Sequence, residues 1–148
     1  NIKLPESTNQ LPKNEIERER FAYFFRDQIT NSYNAEYLNT ILNKNYFEKK
    51  IYSVNLISMH NFAQYNMKYG WEGGNKLLRK FVDLLHIIYP DTQIFRIHGD
   101  DFVLITKEPL SIDLTQFNNL EWLVDNQISV STKKIDPPSD KVYNIDDI

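Results

Sequence analysis

A chain of 148 residues, 41% hydrophobic and 25% charged, is long enough to bury one core and is composed like an ordinary globular domain. Its net charge of -3, from 17 Lys and Arg against 20 Asp and Glu, excludes a global basic field that would draw it to nucleic acid. The absence of cysteine excludes disulfides, thiolate zinc sites and a Cys nucleophile, and agrees with a reducing, cytoplasmic compartment.

The chain opens with a polar, Pro-containing lead-in from Asn1 to Lys13, without an initiating Met. No apolar run approaches the ~20 residues that span a bilayer, so no membrane contact is expected in this segment. The expectation is a piece of a longer protein, with any anchor, sensor or effector domain elsewhere. Asn14 and Glu17 have capping-box spacing, which predicts a helix over 15–26 that ends in the aromatic cluster Phe21, Tyr23, Phe24 and Phe25. Asp27 to Ser32 is turn-like. A second helix is predicted over 34–43, with Tyr37, Leu38, Ile41 and Leu42 on one face.

The run 49–57 reads as the first strand, with Tyr52, Val54 and Leu56 sharing a face. A short helix over 61–69 follows, then a breaker from Gly70 to Gly74. The longest helix is expected over 75–89, where Leu77, Leu78, Phe81, Leu84, Leu85 and Ile88 keep helical period until Pro90. Two strand-like runs, 93–98 and 101–106, are separated only by Gly99 and Asp100. Gly at the first loop position supplies the positive φ of a II′ turn, so these form a tight hairpin. A helix over 115–125 and a strand over 127–135 complete the order, and Pro137-Pro138 breaks the chain. The resulting β-α-α-β-β-α-β order predicts an α+β, ferredoxin-like or palm-type antiparallel sheet with helices on one face, preceded by an N-terminal helix.

In that topology the first strand lies beside the hairpin, so a carboxylate at the hairpin tip comes close to the end of the first strand. Carboxylates so placed can hold Mg²⁺ against a nucleotide triphosphate, and Asp100 and Asp101 supply the hairpin half. The plain alternative for both is solvated turn chemistry.

The run Arg96-Ile97-His98-Gly99-Asp100-Asp101-Phe102 resembles the R-x-G-G-D/E-E-F signature of GGDEF domains, the bacterial fold that makes cyclic di-GMP from GTP. Upstream, residues 27–34 resemble the family's D-x-L-T-G-L-x-N, and residues 62–75 resemble F-K-x-I-N-D-x-x-G-H-x-x-G-D. Three motifs thus fall in family order on fitting elements. On this resemblance residues 1–13 are a lead-in, 14–26 an N-terminal signalling helix and 27–148 a degenerate GGDEF domain, its last family helix missing or only begun at 144–147.

The resemblance implies site residues. Asp100 falls on a metal-binding acidic position and Asp101 on its catalytic acidic neighbour. Ser58 replaces the second metal carboxylate, and Met59 falls on the position that offers a backbone carbonyl to the metal. Asn66 falls on a guanine-binding Asn, and Asn75 replaces a guanine-binding Asp. Gly99 keeps the backbone close to the nucleotide, whereas His98 fills the signature's first Gly. Ala63 replaces a Lys near the phosphates, and Trp71 replaces a His. The inhibitory R-x-x-D falls on Tyr89-Pro90-Asp91-Thr92 and is absent.

These departures imply a non-cyclising regulatory, GTP-sensing or interaction module, with Mg²⁺ required only if it is active. The alternatives are a functioning or slow diguanylate cyclase free of product inhibition, and a purely structural dimerisation domain. The implied partners are GTP, a second copy in a homodimer, and sensor or effector domains of the same longer protein. Beside these roles stand plainer ones. Asn66 can cap or bridge helix backbone, and His60 and His98 are either unrelated surface histidines or a pair facing each other near Asp100 as a transition-metal site. Arg96 is expected to pair with a buried or interfacial carboxylate, and Trp71 and Trp122 to serve packing.

Overall fold

The structure is a computed structural model that describes residues 14–45 and 53–136. The lead-in, the start of the predicted first strand and the segment after Asp136 lie outside the described residues.

Asn14 sits in extended conformation, and its side chain accepts the amide of Glu17 at 2.8 Å, which starts helix α1 (Glu15–Phe25) where the capping pattern placed it. Its Arg18-Glu19-Arg20 face is exposed, while Phe21 and Phe25 are buried. These rings meet Tyr37 on α2 (Ala35–Asn45) at centroid distances of 5.1 and 5.0 Å, with Tyr33 beside them. The turn between the helices is held by Asp27, whose carboxylate accepts the amide and hydroxyl of Thr30, both at 2.8 Å.

Strand β1 runs Ser53–His60, three residues beyond the predicted end at Ile57. The cause is tertiary. Ser58 pairs with Asp101 of β3 (Asp101–Thr106) and with Ser131 of β4 (Ser129–Ile135), and the ladder to β4 continues to His60. Helix α3 (Phe62–Ile88) replaces the two predicted helices. The expected break shrinks to one residue, Gly70, at φ 74 and ψ 180, and Trp71 to Gly74 are already helical. Strands β2 (Gln93–His98) and β3 (Asp101–Thr106) form the predicted hairpin. Positive φ is confined to Gly99 in its two-residue loop, as the II′ pattern requires.

The predicted helix over 115–125 is instead two single turns, α4 (Thr115–Asn118) and α5 (Glu121–Val124). The chain leaves the helical pattern at Leu120, which is extended, while the side-chain amide of Asn118, the last residue of α4, bonds both backbone groups of Val130 at 2.9 and 3.1 Å. That contact pins α4 to the edge strand β4 (Ser129–Ile135).

The sheet order is β2-β3-β1-β4, antiparallel throughout, which is the ferredoxin-like arrangement. Its helices cover both faces rather than one. Ile57, Met59, Phe102, Leu104 and Val130 pack under α3, α4 and α5, whereas Val54, Phe95, Val103, Ile105 and Ile135 pack under α1 and α2. The outer edge of β2 is covered by Tyr33, which donates to Ile94 and accepts from Arg96.

Candidate functional site

The sheet brings the end of β1, the β2–β3 hairpin tip and the start of α3 to one end of the molecule. Asp101 lies directly across from Ser58, and the carbonyl of Asp100 accepts the Met59 amide at 3.1 Å. Asp100 and Asp101 therefore stand beside Ser58 and Met59, as the topology argument expected. Met59 contributes backbone only, because its side chain lies in the core beneath α3.

The two carboxylates are held differently. Asp101 Oδ2 lies 3.3 Å from Nδ1 of the exposed His98, so His98 serves as its partner. Asp100 is half-buried, and loss of water pushes its carboxyl above the usual range. Its hydrogen bond to backbone opposes that shift, the Asp101 charge adds to it, and His60 and His98 oppose it. His60 and His98 thus both act on Asp100, but they form no metal cage. His60 Nε2 lies 2.7 Å from Ser131 Oγ, and among the described residues no three His, Cys, Asp or Glu side chains gather closely enough to share an ion.

The residues present do not fit the two-ion Mg²⁺ clamp that the signature implies. Mg²⁺ prefers charged oxygen donors. Ser58 offers a neutral hydroxyl on the strand where a second carboxylate is needed, and Asp101 is engaged by His98.

The signature arginine has a structural task. Arg96 Nη1 reaches both Asp27 oxygens at 3.2 and 3.3 Å, and Nε donates to the Gly99 carbonyl at 2.8 Å. With side chains only 14% and 18% exposed, the pair ties the hairpin tip to the α1–α2 turn. This is the carboxylate partner expected for Arg96.

Asn61 enters α3 in the left-handed region at φ 71, and its amide donates to the Gln127 carbonyl at 2.9 Å. No side chain caps the first turn of α3, which carries the exposed Ala63. Asn66 and Asn75 are half-buried on either side of the Gly70 kink. Oδ1 of Asn66 is enclosed without a hydrogen-bond partner. Trp71 is 81% exposed and so is no part of the core, whereas Trp122 packs on it with Lys80 Nζ 4.4 Å from its ring centre. The sequence reading missed the role of Gly73 and Gly74. A Cβ at Gly73 would lie 2.6 Å from Tyr69 Cβ, and one at Gly74 would lie 1.7 Å from Asn66 Oδ1. Paired glycines inside a long apolar period were the available signal for close approach rather than for a break.

A family model described as "Diguanylate cyclase, GGDEF domain" matches residues 24–135. A search of curated proteins finds no match. Among solved structures, the coiled coil and GGDEF domain of DgcB from Caulobacter crescentus, in complex with c-di-GMP, superposes with a TM-score of 0.64 at 18% identity, covering 80% of this chain and 72% of that one. The FimX GGDEF domain from Pseudomonas aeruginosa gives 0.57 at 14% identity, covering 79% and 83%. The S helix-GGDEF-EAL segment of Vibrio cholerae LapD gives 0.57 at 19% identity, covering 78% of this chain and 30% of that longer one. At such identities these likenesses concern the fold.

Proposed function

The chain belongs to the GGDEF domain family of cyclic di-GMP signalling, and on that premise we propose that it is a non-cyclising member that binds guanine nucleotide weakly and works as a regulatory module. The observation that carries this reading is the pairing of Ser58 with Asp101, which leaves a hydroxyl where the resemblance requires a metal carboxylate. Asn75 in place of a charged base acceptor and Ala63 in place of a phosphate-side Lys weaken the site further. Each loss is worth about 1–3 kcal/mol, so together they remove several powers of ten in rate. What persists supports binding without chemistry. The hairpin, Asp100 at its tip and Asn66 on α3 are retained.

Calorimetric titration of the chain with GTP and Mg²⁺ tests the reading. The expected result is a saturable heat that Asn66→Ala reduces at least tenfold. A flat titration would leave a scaffold without ligand and sink the nucleotide half of the proposal.

A further inference from the structure

Around the kink at Gly70, α3 stands clear of the rest of the fold. Every residue from Met67 to Glu72 is exposed, and a Cβ built on Gly70 would meet nothing within 4 Å. Met67 is 86% exposed and Trp71 81%, with the exposed Tyr69 between them in the chain and Lys68 Nζ 5.2 Å from the Tyr69 ring centre. Large apolar side chains gathered this openly on one elbow mark a contact surface rather than the scatter found on any protein.

The charge of α3 selects the partner. The helix carries Lys68, Lys76, Arg79 and Lys80 against Glu72 and Asp83, all exposed, in a chain whose net charge is -3. Glu72 lies 3.9 Å from Lys76, whereas Lys68 and Arg79 have no acidic partner among the described residues. A basic stripe thus runs on from the elbow along an otherwise acidic molecule. A second copy is a poor match, because two elbows brought together would set these like charges against each other. An anionic bilayer surface is a good one. Trp and Tyr rings favour the headgroup boundary, the flexible Met side chain packs in irregular apolar surroundings, and Lys and Arg keep their charges at the headgroups. No described helix is long and apolar enough to cross a membrane, so such a contact is peripheral.

We propose that the Gly70 elbow, led by Met67 and Trp71 and flanked by Lys68, Lys76 and Arg79, is a docking site for the surface of an anionic phospholipid membrane. Neither GTP binding nor the loss of cyclase chemistry enters into it.

Co-sedimentation of the 148-residue chain with vesicles tests the contact. The native chain is expected to sediment with vesicles of equal parts phosphatidylglycerol and phosphatidylcholine, and to bind phosphatidylcholine alone at least tenfold more weakly. Met67→Ala with Trp71→Ala should weaken binding to the anionic vesicles at least tenfold, and Lys68→Glu with Arg79→Glu by as much. These side chains are exposed, so both double variants are expected to keep the native Tm. The emission of Trp71, taken as native minus Trp71→Phe, should shift to the blue on binding. A native chain that stays in the supernatant would overturn the proposal, as would binding that survives Met67→Ala with Trp71→Ala. Equal binding to both kinds of vesicle would overturn the choice of an anionic surface. A dimer in solution that Trp71→Ala converts to monomer would assign the elbow to a second copy and overturn the membrane contact.

Discussion

Asp100 and Asp101 are neighbours on one tight turn, yet the fold treats their charges differently. Asp101 has His98 at 3.3 Å, whereas Asp100 is desolvated and its pKa is raised. A carboxyl with a raised folded-state pKa takes up its proton more readily in the fold than in the open chain. Its stabilising contribution is therefore full below the ordinary carboxylate range and is lost as pH rises through the folded-state value. Asp100→Asn removes that titration. The variant is expected to gain stability over the native chain as pH rises from about 3 to 7, measured as the difference in urea midpoint. A difference that does not change with pH would contradict the burial account. The Asp100–Asp101 pair was legible as acidic turn chemistry, but their unequal environments were not, because His60 and the end of β1 reach the tip only through the folded sheet.

Among elements, those specified by local chemistry were the ones the sequence made plain. The Asn14 cap and the Gly99-Asp100 hairpin each depend on a few adjacent residues. The end of β1 depends on distant partners, Asp101 and Ser131, and the placing of α4 on Val130. Gly70 holds the kink at φ 74 and ψ 180, a region essentially restricted to glycine, although nothing lies within 4 Å of a Cβ there. Gly70→Ala is therefore expected to cost about 1–3 kcal/mol through backbone strain alone, read from urea unfolding. No loss would show that α3 straightens freely. The Arg96–Asp27 link joins the hairpin to the α1–α2 turn at low exposure. Removing either partner is expected to cost about 2–3 kcal/mol, and removing both less than the sum, because each single variant strands a charge. Additive losses would show that the pair is not coupled.

At the scale of the whole molecule, a four-stranded antiparallel sheet lies between two helical layers. The second layer was not foreseen, although β3 carried its trace. Phe102 to Ile105 are apolar without alternation and all buried, the mark of a strand covered on both faces. The layers present β1, the hairpin tip and the start of α3 at one end, and on the proposed reading it is the departures at Ser58, Ala63, Asn75 and His98, not the scaffold, that set the chemistry of the site. The central proposal is that cyclase activity is absent through a local loss on a sound fold. Its most direct test is chromatographic assay of product from GTP and Mg²⁺, run side by side on the native chain and on the variant with Ser58→Asp, Ala63→Lys, Asn75→Asp and His98→Gly. The account expects no cyclic di-GMP from the native chain and detectable cyclic di-GMP from the folded variant; product from the native chain, or none from a folded variant, would contradict it.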